Sequence, residues 1–222
     1  MATKTAREIF IETLQRKAYR KVLVGKKPNK EGKMVNVYKN EPATPELVTL
    51  QKNVSTGAIK LQDATIIVTK YVSGEQTVQM FEEGKARTRG LVSIANSKLL
   101  SGQFFCPTAI GVLAANCDSN SDVDVQSAIY SQIDGKKVIG SGEFTFKVNE
   151  NEELLKEEQL SKYVGVDLQN LPKGTHPIAN TTIIHPEKRM FLDVSFPTTV
   201  PAADKIAIRF VIHGAITAPK AQ

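Results

Sequence analysis

The sequence has few of the residues on which disulfide frameworks, metal centres and membrane anchors depend. Among 222 residues there are two cysteines, three histidines and no tryptophan, which excludes a scaffold held together by many disulfides. No stretch approaches the roughly eighteen apolar residues of a membrane-spanning helix, and the N-terminal segment lacks the apolar core of a signal peptide. Cys106 lies in an apolar run, so we expect a buried thiol, and whether it pairs with Cys117 stays open.

Signatures of catalysis and metal binding are also missing. His176 and His185 each precede a proline, and the paired His-x-His of a cupin-type metal site does not occur. There is no Gly-x-Ser-x-Gly motif, and the glycines between residues 135 and 142 are flanked by strand patterns rather than by a helix that could bind phosphate. The acidic run Asp118–Asp124 has Val123 where a calcium loop requires glycine. We therefore predict no catalytic residue, no metal or other cofactor, and a protein that is not an enzyme.

Positive charge is concentrated near the N-terminus. Residues 1–39 contain eleven Lys and Arg against three Glu, a net charge of +8, so the rest of the chain carries −2 of the total of +6. Such an asymmetry indicates either contact with a polyanion or a solvated basic tail. Because few aromatic residues are interleaved with the cations, nucleic acid would be bound through its phosphates and without sequence preference. The candidate contact residues are Arg16, Lys17, Arg20, Lys21, Lys26, Lys27, Lys30 and Lys33.

The first half of this basic segment has the pattern of a helix. Thr3 to about Lys21 shows the periodicity of an amphipathic helix, and Thr5 with Glu8 is placed as a capping box. A charged, breaker-rich loop at Lys26–Lys33 is expected to follow.

A second break, rich in proline, divides the chain into an N-terminal arm, residues 1–44, and a body, residues 45–222. The excess positive charge belongs to the arm, and the strand pattern begins after it. We expect the body to fold without the arm unless the apolar stripe from Phe10 to Leu14 docks on the body.

From Pro45 onward the dominant pattern is the period-two alternation of β-strands. The Asp134-Gly135 pair between two apolar runs indicates a hairpin turn. In the last run, Phe210 is predicted to face the core and Arg209 to face away from it. Predicted strands cover residues 64–72, 76–81, 91–95, 104–115, 125–132, 136–139, 144–148, 181–184, 190–196 and 206–216. Strands that follow one another without intervening helices indicate an all-β fold, an antiparallel β-sandwich or barrel.

One further helix is predicted, short and acidic, from Glu150 to about Tyr163. Leu154, Leu155 and Leu160 would form its apolar side, and four glutamates would make its surface acidic. Clustered glutamates on a helix usually form a solvated face. The alternative is a docking surface for the basic arm of a neighbouring copy.

Three segments between Phe104 and Thr217 resemble a known family. They are the Phe-Phe-Cys-Pro-Thr-Ala-Ile run from Phe104, the Gly-Glu-Phe-Thr-Phe-Lys-Val strand from Gly142 and the closing strand Ile-Ala-Ile-Arg-Phe-Val-Ile-His-Gly from Ile206. Together with the basic arm they resemble the single-jelly-roll capsid proteins of icosahedral viruses and bacteriophages. The likeness is architectural, and the arm departs from it by being partly helical.

This resemblance implies a virion structural protein, made in the host cytoplasm and located in the virion. It would be a capsid subunit that self-assembles into a homo-oligomeric shell or ring through a jelly-roll body, with its arm contacting genome, membrane or neighbours. No small-molecule substrate is expected. Two alternatives stay open: a sequence-independent nucleic-acid-binding β-barrel protein, and a ligand-binding β-sandwich.

Overall fold

The structure, a computed structural model, describes residues 4–133, 137–149, 152–163 and 174–219. Strands predominate, and every strand pairing among these residues is antiparallel. The helices are α1 (Ala6–Ala18), α2 (Pro45–Ser55), α3 (Asp122–Ser127) and α4 (Lys137–Gly140), with short 3-10 helices at Leu160–Tyr163 and Ala202–Asp204. The strands are β1 (Tyr19–Pro28), β2 (Met34–Pro42), β3 (Ile59–Tyr71), β4 (Thr77–Gln79), β5 (Phe105–Asn116), β6 (Ser131–Gln132), β7 (Glu143–Val148), β8 (Glu152–Gln159), β9 (Thr175–Pro177), β10 (Met190–Ser195) and β11 (Ile206–Pro219).

Two sheets share the main hydrophobic core. The front sheet has the strand order β4-β10-β7-β8, and the back sheet has the order β3-β11-β5, with β6 and β9 both paired to β5. Phe144 and Phe146 of β7 and Val194 of β10 are buried in the same core as Phe210 and Ile212 of β11. The prediction of an antiparallel all-β fold is confirmed, and two sheets around one core are compatible with a β-sandwich.

Strand β11 is the centre of the back sheet, paired with β3 on one side and β5 on the other. Phe210 and Ile212 are fully buried between the sheets. Arg209 and His213 lie on the opposite face and are partly exposed, which confirms the predicted alternation. The Arg209 guanidinium stacks 3.6 Å above the Tyr130 ring and donates hydrogen bonds to Thr69 Oγ1 and Gly90 O, both at 3.0 Å.

A glycine is required where β11 passes the irregular part of β5. The register between the two strands shifts at His213/Gly214. A Cβ atom on Gly214 would lie 2.1 Å from the Cys106 carbonyl oxygen and 2.7 Å from the Phe105 ring. Because a backbone atom cannot move away as a flexible side chain could, we infer that only glycine fits this crossing.

A second, smaller core forms where α1 and α2 cover one end of the outer face of the back sheet. Phe10 and Leu14 of α1 are buried with Leu47 of α2 and with Cys106 and Ala215 of the sheet. The capping box of Thr5 and Glu8 is present, as predicted. The apolar stripe from Phe10 to Leu14 therefore docks on the body, which was the condition under which the arm would contribute to the fold. The division of the chain at residue 44 stays a prediction.

Helix boundaries near the N-terminus differ from the predicted ones. Helix α1 ends at Ala18 rather than near Lys21, because Tyr19 already has the extended backbone of a strand. Helix α2 was missed, although Pro45 occupies its first turn and proline is favoured there. The spacing of Leu47 and Leu50, both buried, also follows the helical period.

The predicted acidic helix is wrong. Glu152–Gln159 is strand β8, paired with β7 at the edge of the front sheet, and only Leu160–Tyr163 is helical, as a 3-10 turn. The predicted start, Glu150, lies outside the described residues. Two register shifts let both Leu154 and Leu155 reach apolar surroundings. Pairing with β7 therefore overrides the helical preference of a segment rich in Leu and Glu.

Other strand predictions also need correction. Residues 125–127 of the predicted strand 125–132 are the C-terminal half of helix α3. Its N-cap Ser121 accepts a hydrogen bond from Asp124 N, and a good cap favours the helix locally. Residues 137–140 form α4, and the predicted Asp134-Gly135 turn lies outside the described residues. The runs 91–95 and 181–184 contribute isolated bridges, Val68 with Val92 and Phe105 with Ile184, rather than strands.

Candidate functional site

The predicted basic loop at Lys26–Lys33 lies within a two-stranded β-hairpin, β1 and β2, here called the hairpin (Tyr19–Pro42). Its turn is organised by Asn29, whose Oδ1 accepts hydrogen bonds from Glu31 N at 3.0 Å and Lys33 N at 2.9 Å. Gly32 has a φ of +78°, in the left-handed region that glycine enters at no steric cost. Pro28, Asn29 and Gly32 are therefore turn residues between two strands. The sequence contains this turn signal, but the lysines around it led to the prediction of a loop.

The base of the hairpin is held between the two docked helices. Ala43 N donates a hydrogen bond of 2.8 Å to Ala18 O, and Tyr19 pairs with Pro42. The Arg20 guanidinium lies 3.6 Å from the Glu41 carboxylate across the strands. Because α1 and α2 are packed on the back sheet, these contacts fix the direction in which the hairpin leaves the body.

Beyond its base the hairpin presents apolar side chains to solvent. Leu23 is 52% exposed, Val24 57%, Met34 62% and Tyr38 54%. With Val35, they are five of the nine large exposed hydrophobic residues in the described part of the chain. Leu23 and Tyr38 are cross-strand neighbours, and exposed apolar patches mark interaction surfaces.

The cross-strand register defines which side chains share a face. Leu23 lies opposite Tyr38. Met34 is four residues before Tyr38 in β2 and therefore lies on the same face. Lys21 and Lys26, paired with Asn40 and Asn36, belong to this face too, which is here called the Tyr38 face. The other face carries Val22, Lys27, Val35, Val37 and Lys39. Apolar groups on both faces mean that neither face is simply the solvated side of a sheet.

The helical members of the predicted contact set anchor the arm to the body. An Arg16 terminal nitrogen donates to Thr181 O at 2.7 Å. Lys17 Nζ lies 3.2 Å from a Glu152 carboxylate oxygen of β8. These two cations, with Arg20 and its partner Glu41, are therefore engaged within the chain.

The remaining members of the set point toward solvent along the hairpin. Lys26, Lys27, Lys30 and Lys33 are gathered at the turn end of the hairpin, and each is exposed. Lys33 Nζ is 3.8 Å from Glu31, whereas Lys21 and the other three have no ion pair within the described residues. The predicted set thus divides into anchoring cations at the base (Arg16, Lys17 and Arg20) and exposed cations from Lys21 to the tip, of which Lys33 alone has an ion pair among the described residues.

A cleft of about 820 Å³ opens at the base of the hairpin. Arg16, Arg20 and Lys21 line it together with Glu12 and Gln51. The Gln51 Oε1 atom has no hydrogen-bond partner among the described residues. The lining is predominantly cationic, although Arg16 is bonded to Thr181 O and Arg20 is paired with Glu41.

The two cysteines are free, and Cys106 is fully buried. Burial raises the pKa of the Cys106 thiol to about 11, so this thiol is protonated at neutral pH. Within the described residues no group of three or more His, Cys, Asp or Glu could hold a metal ion. No helix in that part of the chain has the length and apolar character to cross a membrane.

Comparison of the chain with known protein families, with curated proteins and with solved structures gives no match.

Proposed function

We propose that the chain is a virion structural protein, a capsid subunit with a jelly-roll body that assembles with further copies of itself through the hairpin. The nested strand pairing supports the jelly-roll body. Apart from the two-residue strand β6, the described part of the body has eight strands, and β3 pairs with β11, β4 with β10, β5 with β9, and β7 with β8. The first strand thus joins the last, the second joins the last but one, and so on inward, as when one long hairpin is rolled into two facing sheets.

The single observation that carries the proposal is the exposed, partly apolar hairpin. A two-stranded hairpin alone in water is at best marginally stable, and this one projects Leu23, Met34 and Tyr38 into solvent. Tyrosine is among the residues that most often anchor protein interfaces. A fixed base with an apolar, cationic extension suits a contact that is completed by a neighbouring subunit.

The test compares the full chain with a hairpin-clipped chain in which residues 20–41 are replaced by a short Gly-Ser turn joining Tyr19 to Pro42. The clipped chain keeps α1, α2 and both hydrophobic cores, so we expect an unchanged circular dichroism melt of the body. Light scattering and negative-stain imaging should reveal closed particles or rings for the full chain and small species for the clipped chain. A full chain that stays monomeric at all concentrations would contradict the proposal.

A second candidate function is sequence-independent nucleic-acid binding, and the four lysines at the hairpin tip favour it. Neutralising phosphates with lysine gives affinity that falls steeply with salt. Replacing Lys26, Lys27, Lys30 and Lys33 with Gln should lower the salt slope for random DNA by roughly one unit for each phosphate that is no longer neutralised. A slope unchanged by all four replacements would refute this function.

A further inference from the structure

The front sheet presents an acidic groove on its outer face. Cross-strand pairing aligns Glu143 with Ser195 and Thr77, and Asp193 with Thr145 and Gln79. These side chains alternate with Phe144 and Val194, which point into the core, so the row faces away from the body. The groove has a volume of about 510 Å³.

The charges in this groove are of one sign. Its ten lining residues include Glu143, Glu157 and Asp193 and no Lys or Arg. None of the three carboxylates has an ion pair among the residues the structure describes. Lys147, on the same face of β7, is paired with Glu153 at 3.1 Å, and its charge also acts on Asp193. The groove therefore offers three carboxylates to a cationic partner.

The hairpin is complementary to the groove in charge. It carries seven Lys and Arg against two Glu, a net charge of +5. Its Tyr38 face places Lys21 and Lys26 on either side of Leu23 and Tyr38. Lysines on exposed strand edges, like those of the hairpin, discourage edge-to-edge pairing with other strands. A partner surface that supplies negative charge is therefore favoured.

The same chain does not provide this contact. Tyr38 and Leu23 are exposed, and the base of the hairpin is fixed by the Ala43 to Ala18 hydrogen bond and by Arg20 with Glu41. The hairpin therefore extends from the body with its Tyr38 face uncovered, and a second copy of the chain can present its groove to that face.

We infer that the Tyr38 face of one copy's hairpin docks in the acidic groove between β4, β10, β7 and β8 of a second copy. This inference rests on the proposed assembly function and names the surface that receives the hairpin. Since hairpin and groove lie on different parts of the chain, each copy can donate its hairpin to one neighbour and receive that of another, and repeating this contact generates a ring, a shell or an open chain.

The experiment is a charge swap. One variant reverses the hairpin charge (Lys21→Glu with Lys26→Glu), and the other reverses the groove charge (Glu143→Lys with Asp193→Lys). All four side chains are exposed, so circular dichroism should show intact folds. Each variant alone should self-associate roughly tenfold to a hundredfold more weakly than the natural sequence, because like charges would face each other. A mixture of the two variants should recover association, since opposite charges are restored across the contact.

Matched controls test the two surfaces separately. Lys27→Glu with Lys39→Glu reverses two charges on the other face of the hairpin, and Asp118→Lys with Glu187→Lys reverses two exposed charges outside the groove. Both controls should self-associate within about threefold of the natural sequence, because rim and distant charges contribute little.

The outcomes separate this inference from the function on which it rests. If the natural sequence associates but groove reversal changes nothing, or if the mixture fails to recover association, the groove is not the receptor and the inference is overturned. If the natural sequence does not associate at all, the assembly function fails and the inference fails with it.

Discussion

Truncation of Phe10 to alanine tests whether α1 is an integral part of the folded body. Phe10 is fully buried in the second core, between Leu47 and Leu50 of α2 and the sheet residues Cys106 and Ala215. Removing a buried Phe side chain costs about 3–5 kcal/mol in unfolding free energy. This is a large part of the roughly 5–15 kcal/mol by which native domains are stable.

For a chain of this length, each kcal/mol lowers the melting temperature by roughly 2–4 °C, so we expect a decrease of about 6–20 °C. The matched control is Ile11→Ala on the same helix, where the side chain is 39% exposed and the cost should stay within about 0.5 kcal/mol. Thermal and urea unfolding of the two variants give the comparison. A Phe10→Ala chain that unfolds together with the Ile11→Ala control would show that α1 is only loosely attached, and deletion of residues 1–40 would then leave the body intact.

Three further predictions concern the body. Gly214→Ala should prevent folding or lower the unfolding free energy by more than about 3 kcal/mol, because its Cβ would lie 2.1 Å from the Cys106 carbonyl oxygen. Soluble yield and the urea midpoint measure this effect, and a midpoint equal to that of the natural sequence would contradict it. Phe210→Asp should unfold the body because it buries a charge, whereas Arg209→Ala should lower the unfolding free energy by about 1–2 kcal/mol because it removes the stacking on Tyr130 and two hydrogen bonds. Equal unfolding midpoints for the two variants would refute the register of β11. Cys106 should resist alkylation at pH 8, because burial raises the pKa of its thiol to about 11 and the thiolate is the reactive form; rapid labelling of Cys106 in the folded chain would disprove this.

The body was predictable from the sequence wherever burial imposes a simple period. Strands β7, β10 and β11 alternate core residues such as Phe144 and Phe210 with residues on the outer faces, and this alternation is visible without a structure. The capping box of Thr5 and Glu8 was predictable for a similar reason, since it is a local interaction within one turn.

The errors lie where distant contacts decide the local conformation. Strand β8 is rich in Glu and Leu, which favour helices, and only its pairing with β7 makes it extended. In the hairpin, apolar side chains occupy both faces, so no single buried face produces the alternation by which a strand is recognised, and the lysines led to a loop prediction. The acidic groove joins Glu143 and Asp193 from strands about fifty residues apart in the sequence, so only the sheet register brings them together.

The central claim is that the chain assembles through the hairpin, and sedimentation velocity of a two-residue variant tests it most directly. Leu23→Thr with Tyr38→Thr replaces two apolar side chains that are more than half exposed with a smaller polar residue that strands favour, so the fold should be preserved. We predict that the natural sequence sediments as large species that grow with concentration, and that the variant sediments as a single species of about 24.3 kDa under the same conditions. Indistinguishable sedimentation profiles for the two chains would contradict assembly through the hairpin.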